Sequence, residues 1–231
     1  MRRLQPLILW GLSPFSEIYE IIKDINAIKS TYEVVGIFDD NTATHGKMVD
    51  GIKVLGPLEL CYQYDNVKFV NCIGSHRTRI DKYHIIHRFN LPENRFETLI
   101  HPSAKIYSSA VVAEGCIIHQ GAVVFNDTVV QSQVEILANS VIGAKNIVFE
   151  GAMITSLVAT TVGVNIGPYS HIGTHSCIAE NVKIGAGAQI GMGSVVLKDI
   201  PPGVFCMGNP LRFLDKTEVP PGLIKIQKTE I

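Results

Sequence analysis

Residues 166–196 read IGPYSHIGTHSCIAENVKIGAGAQIGMGSVV, with an aliphatic residue at every sixth position. The spacing runs back without insertion to Ile100, through Ile106, Val112, Ile118, Val124, Val130, Ile136, Ile142, Val148 and Ile154, and only Thr160 breaks it. A helix repeats every 3.6 residues and a lone strand every two, so a strict period of six belongs to a repeat architecture. Four residues after the aliphatic position stands a small or β-branched residue, as at Ala104, Ala122, Ser140, Ala152, Val158, Ser176, Ala188 and Ser194. Glycine follows it at Gly143, Gly167, Gly173, Gly185 and Gly191. The period predicts a parallel β-helix of hexapeptide repeats, in which three hexads make one coil and the aliphatic column fills the core.

The chain has 231 residues, 46% of them hydrophobic and 18% charged, enough for a substantial core. A net charge of -1 argues against a surface for nucleic acid or anionic membrane. Met1-Arg2-Arg3 leads into a short strand, with no long uncharged apolar run, so no membrane insertion and a cytoplasmic location are expected. The five cysteines, Cys61, Cys72, Cys116, Cys177 and Cys206, are odd in number and scattered, as reduced thiols would be. Cys116 falls at an inward position of the repeat.

Before residue 100 the pattern changes. Strands are predicted at Leu4–Trp10, Tyr32–Phe38, Lys68–Ile73 and Arg95–Ile100, and helices at Phe15–Ile28, Pro57–Tyr64 and Ser75–Phe89. Gly11-Leu12-Ser13-Pro14 reads as the turn into the first helix, with Ser13 as N-cap and Pro14 as first helical residue. Alternation of strand and helix predicts a small Rossmann-like parallel α/β sheet. The expected organisation is residues 1–99 for the Rossmann-like domain, 100–197 for the β-helix and 198–231 for a nonrepeating tail.

Open parallel sheets gather ligands at the carboxyl ends of their strands. Gly11-Leu12-Ser13, Asp39-Asp40 and Gly74-Ser75 fall there. Asp39 can accept hydrogen bonds from a ribose or a base, and the helix after Ser13 offers backbone N–H groups to a phosphate. The plainer alternative is tight turns and a solvated acidic loop. A glycine-rich dinucleotide fingerprint is absent, which weighs against NAD. Histidines lie on the repeat at His119, His171 and His175. His171 and His175 fall at different corners of a coil, and His119 and His171 differ by fifty-two residues, not a multiple of eighteen. No metal site is therefore expected, and each histidine alone reads as a surface residue sooner than a catalyst.

The hexads after a small α/β domain resemble the bacterial sugar-nucleotide acetyltransferases with a left-handed β-helix. The nearest likeness is to the group with the bacillosamine-pathway N-acetyltransferase and the sialic-acid O-acetyltransferase. Gly11-Leu12-Ser13-Pro14, Ile37-Phe38-Asp39-Asp40, Cys72-Ile73-Gly74-Ser75, Ile190-Gly191-Met192-Gly193-Ser194 and Gly208-Asn209-Pro210-Leu211-Arg212 carry the resemblance. It implies a homotrimer with active sites between subunits, acetyl-CoA as co-substrate in a groove between β-helices, and a nucleotide sugar held by the N-terminal domain. Carried over by position, the sugar-nucleotide contacts are Leu12, Ser13, Pro14, Asp39, Asp40 and Gly74. The acetyl-CoA contacts are Met153, Thr174 and Met192, the last two eighteen residues apart and hence in one column.

One departure decides the expected chemistry. Where the family places a catalytic histidine beside an acidic residue, this chain has Ala144 and Lys145. A shift of one coil gives Asn126 or Val162. The family's cofactor-contacting histidine is replaced by Met153, with His171 one coil later in the same column. A sugar hydroxyl needs a positioned base, whereas a sugar amine is part-neutral near pH 7. The expectation is therefore acetyl-CoA-dependent N-acetylation of a nucleotide-linked amino sugar, for surface polysaccharide or a glycan precursor. The alternatives are O-acetylation with His171 as substitute base, a non-catalytic sugar-nucleotide-binding relative, and a metal-dependent hydratase on the same β-helix.

Overall fold

The computed structural model describes residues 4–13, 15–73, 84–85 and 87–214. Strand β1 spans Gln5–Ser13, helix α1 Phe15–Ile28, β2 Tyr32–Phe38, β3 Met48–Val49, β4 Ile52–Gly56 and β5 Lys68–Ile73. They form one sheet of order β3-β4-β2-β1-β5, parallel except for the β3–β4 pair. Leu7, Ile8, Leu9 and Trp10 are all buried because both faces of β1 are covered. Ile18, Ile21 and Ile22 of α1 pack on one face, in a cluster that reaches Leu99 and Ile117. On the other face Trp10 meets Phe69, Phe89 and Phe96 with ring centroids 5.1–5.3 Å apart.

Several predicted boundaries move. β1 runs on to Ser13 instead of turning at Gly11, because Ser13 re-pairs with Ile73 after a register shift. Gly11 takes φ +91, and a Cβ there would stand 2.8 Å from Ile73 Cγ1. The predicted helix at Pro57–Tyr64 is a 3-10 helix over Leu58–Gln63. Glu93–Arg95 is a 3-10 turn, and only Leu99–Ile100 of the predicted last strand is a strand, since Phe96 turns into the aromatic cluster. The β3–β4 hairpin was not predicted. Its Asp50-Gly51 turn has φ of 47 and 79, the conformation for which that dipeptide is suited. Of the predicted helix at Ser75–Phe89, residues 75–83 and 86 lie outside the described residues.

From Leu99 onward the chain is a left-handed parallel β-helix. Two-residue strands stack at an offset of eighteen residues, as in Val123↔Val141 and Met153↔His171. In each strand the second residue points inward and the first outward. The first face carries Ile117, Glu135, Met153, His171 and Gln189; the second carries Val123, Val141, Ala159, Cys177 and Val195. The inward column from Ile118 to Val196 is buried. Burial of each such side chain stabilises by about 1.5–3 kcal/mol, which short strands need from their neighbours above and below.

The corners follow one rule. From Val112 to Ile190 the third residue after each repeat position takes positive φ, as at Asp127, Asn139, Asn181, Gly115 and Gly163, and also at Lys145 and His175. Gly143 has a different reason, since a Cβ there would stand 2.1 Å from the Thr161 carbonyl oxygen on the next coil. Buried hydroxyls close the coils: Ser140 Oγ donates to Thr155 O at 2.7 Å and accepts from Val158 N–H at 3.2 Å. Thr160, the exception to the aliphatic rule, is explained by buried Asn146, whose Nδ2 donates to Thr160 Oγ1 at 2.5 Å.

Candidate functional site

Two regions hold the residues singled out from the sequence. The first is the carboxyl end of the α/β sheet, where β1 lies between β2 and β5. Leu12 N–H donates to Asp39 Oδ2 at 3.1 Å, and Asn41 N–H to Asp39 Oδ1 at 2.9 Å. Asp39 thus ties the ends of β1 and β2 together, with lone pairs left on both oxygens. Asp40 Oδ1 accepts from Leu58 N–H at 3.0 Å, and its Oδ2 lies 3.7 Å from Arg88 Nη2. Leu12, Asp39 and Asp40 are therefore neighbours. Ser13 belongs to the end of β1, whereas Pro14 and Gly74 lie outside the described residues.

The second region is the corner between the first and second faces of the β-helix. Here residues 155, 173 and 191 stack in one column and 156, 174 and 192 in the next. A groove of about 430 Å³ runs over them, lined by Thr155, His171, Thr174, Gln189, Met192, Phe205 and Met207 among others. Thr174 Oγ1 donates to Thr155 Oγ1 at 3.1 Å, which donates to Ile172 O at 2.7 Å. The floor is backbone at Gly173, where a Cβ would stand 2.6 Å from Met192 N and 2.7 Å from Ile190 O. Met192 is exposed at the lip, and a final pair of strands, Phe205–Met207 and Arg212–Leu214, closes the upper end. Burial pushes the thiol of inward-facing Cys206 up to about 11, leaving it protonated at neutral pH.

His171, Thr174 and Met192 share this groove. Met153 does not line it; it is buried on the first face, one coil below His171. Ala144 is half-buried at the opposite corner, where its carbonyl accepts from Gly163 N–H at 3.0 Å. Lys145 is exposed in the adjoining turn. Among the described residues, no group of three or more His, Cys, Asp or Glu is placed to hold a metal ion.

Sequence reasoning missed a neighbouring cavity. A space of about 570 Å³ lies between α1 and the first coils, lined by Glu17, Glu20, Asp24, His101, His119, Leu137 and Ser156 among others. His101 Nε2 is 2.9 Å from Asp24 Oδ2, and His101 Nδ1 accepts from Ser103 N–H at 3.0 Å. His119, expected at the surface, is 4% exposed, with Nε2 3.2 Å from Oε1 of the equally buried Glu135. In the sequence the pair shows only as a glutamate between Ile117 and Met153 in the outward column, which does not by itself report burial.

No family model matches the chain. The acetyltransferase domain of PglB from Neisseria gonorrhoeae, solved in complex with acetyl coenzyme A, superposes with a TM-score of 0.77 at 24% identity, covering 92% of this chain and 100% of that one. PerB from Caulobacter crescentus, solved with CoA and GDP-perosamine, superposes with a TM-score of 0.76 at 21% identity, over 92% and 99%. Among curated proteins, the mitochondrial serine acetyltransferase 3 of Arabidopsis thaliana is 35% identical over 150 residues, covering 62% of this chain and 34% of that enzyme. The chain spans about a third of the length of such curated relatives. Likeness at these identities establishes architecture, and the chain accordingly shares the α/β sheet and hexapeptide left-handed β-helix of the acetyltransferases it resembles.

Proposed function

We propose that the protein is an acyltransferase that moves the acetyl group of acetyl-CoA to the amine of a nucleotide-linked amino sugar. One observation carries the reading: the groove over His171, Thr174 and Met192, in a fold whose solved examples include CoA-bound acetyltransferases. Its lining comes from successive coils, is apolar at the Phe205–Met207 end, and is bordered by backbone where a narrow acyl-pantetheine arm needs close approach. Thr155 and Thr174 supply hydroxyls along its wall, and His171 faces the space the thioester would enter. Met153, assigned to the cofactor from sequence, lies buried one coil below His171 and stacks beneath it.

The nucleotide belongs, on this reading, to residues 1–99, at the switch point on either side of β1. Leu12, Ser13, Asp39 and Asp40 border it, and Pro14 and Gly74 are assigned to it from sequence alone. Residues 100–197 carry the transfer and 198–231 form the tail. Exposed Val111, Val129 and Val141 on the outer faces support assembly through the β-helix, as a homotrimer with sites between subunits. No helix of the described residues is long and apolar enough to cross a membrane, which fits a cytoplasmic role in surface-polysaccharide or glycan precursor synthesis.

With Ala144 in place of the family's histidine, the chemistry suits an amine. It attacks the thioester carbonyl once oriented, the C–N bond forms and the C–S bond breaks. Backbone N–H groups at the coil edge would meet the developing oxyanion. Calorimetry with acetyl-CoA and free CoA tests the reading. Binding in the micromolar range supports it; a folded protein that binds neither would leave a sugar-nucleotide-binding relative in its place.

A further inference from the structure

Building on that proposed function, we infer that the cavity under α1 receives the acceptor's amino group and that His119, held by Glu135, takes its proton. The first observation is the pair itself. Glu135 occupies an outward slot between Ile117 and Met153, both apolar, yet it is 4% exposed. Removing a carboxylate from water costs several kcal/mol unless a partner compensates, and His119 Nε2 stands 3.2 Å from Glu135 Oε1. A hydrophobic residue would stabilise this slot better. A buried carboxylate behind an imidazole is the arrangement that orients a general base and fixes its tautomer.

The second observation is continuity. His119, Leu137, Thr155, Gly173 and Gly191 fall at successive steps of eighteen residues, one column of the coil. Leu137 and Ser156 line the lower cavity, Thr155 and Gly173 the upper groove, so the two spaces meet at Thr155-Ser156. Parallel strands stack about 4.8 Å apart, which puts His119 roughly 10 Å below Thr155 along the corner. That span accommodates, in order, an acyl carbon, an amine about 3 Å from it, and an imidazole in hydrogen-bond reach of the amine. His171 stands at the other end, beside the apolar part of the groove.

The third observation is charge. The groups facing His119 are Glu135 from the next coil, Glu17, Glu20 and Asp24 from α1, and His101 from the strand before the first coil. An acidic rim attracts at long range a sugar that arrives as an ammonium ion, whereas a neutral hydroxyl feels no such steering. The ammonium first gives up one proton to water; as the neutral amine nitrogen then bonds to the carbonyl carbon, a further N–H proton passes to His119. The C–S bond then breaks, and the departing thiolate recovers that proton as CoA thiol. His119 is thereby the catalytic residue and Glu135 its positioning residue.

Thiol release from acetyl-CoA is measured with UDP-, GDP- and dTDP-linked amino sugars, for wild type, His119→Asn, Glu135→Gln, the double variant and His171→Asn. The double variant keeps an amide hydrogen bond in place of the buried pair should a single change disturb folding. His119→Asn is expected to lower kcat by roughly 10²–10⁴-fold and to abolish the acid limb of kcat at saturating sugar, leaving in kcat/KM only the fall set by protonation of the free amine. Acetyl-CoA affinity stays within about threefold, read by calorimetry. Glu135→Gln lowers kcat less and leaves the acid limb present. Wild-type kcat and an intact acid limb in His119→Asn, or loss of that limb in His171→Asn instead, overturn the inference while leaving the proposed function standing. Wild-type protein that binds no acetyl-CoA, or acetylates none of these amines, removes the proposed function and this inference with it.

Discussion

Replacing Thr160 by valine restores the aliphatic repeat, and it should nonetheless destabilise the protein. Thr160 Oγ1 accepts from Asn146 Nδ2 at 2.5 Å and from Gly143 N–H at 3.0 Å. One coil earlier, Phe125 N–H bonds instead to the Ile142 carbonyl at 2.9 Å. Gly143 can return to that pattern when residue 160 loses its hydroxyl, so its N–H is not stranded. Asn146 Nδ2 has no such recourse, because the side chain is fully buried. A stranded buried donor costs about 1–3 kcal/mol, and the added methyl gives back under about 1 kcal/mol. The net expectation for Thr160→Val is a loss of about 1–2 kcal/mol. Adding Asn146→Ser removes the stranded donor while keeping an oxygen for Val164 N–H, now held by Asn146 Oδ1 at 2.7 Å. The double variant should come within about 1 kcal/mol of wild type. Urea midpoints at one fixed protein concentration, with unchanged slope, provide the assay. A Thr160→Val protein at least as stable as wild type, or a double variant no better than the single, would refute the pairing as the reason for the broken repeat.

Three further outcomes are expected. Met192→Glu, at the exposed groove lip, should weaken acetyl-CoA binding at least about tenfold by repelling its phosphates, with no change in unfolding midpoint; unchanged affinity would move the cofactor elsewhere. Burial, then the adjacent Glu97 carboxylate, holds the Tyr32 hydroxyl above its ordinary pKa, so stability is complete below pH 10 and falls as pH rises past it. Tyr32→Phe should lose roughly 1–2 kcal/mol at pH 7, where the 2.9 Å bond to Glu97 disappears, but show a shallower alkaline decline; equal declines in both proteins would contradict this. Maleimide at pH 8 should spare Cys61, Cys72, Cys116 and Cys206 in the native protein, leaving exposed Cys177 as the one candidate for labelling, whereas modification of any buried thiol before unfolding would contradict the packing.

The β-helix was legible because every coil imposes the same demand at the same position, so the core column announces itself. Column arithmetic also brings Thr174 and Met192 together without coordinates. The turn rule was harder to read. The positive-φ position is filled by Gly, Asn and Asp but also by Lys145, Leu157, Tyr169 and His175, whose side chains give no such signal. Thr160 looked like a defect because its partner Asn146 lies fourteen residues away and meets it only by stacking. The burial of His119 and Glu135 was invisible for a tertiary reason. A regular coil leaves outward residues in solvent, and here α1 and the sheet behind it cover that face. The β3–β4 hairpin did carry its signal, Asp50-Gly51, within a stretch too short to show alternation.

Transfer of acetyl to an amine is decided by analysis of the product. Purified protein is incubated with acetyl-CoA and each amino-sugar nucleotide, and the products are resolved by mass spectrometry and nitrogen-15 NMR. One acetyl group per sugar is expected, attached through an amide nitrogen, with one CoA thiol released for each. Acetyl found on a sugar oxygen, or thiol release with no acetylated sugar, would contradict it.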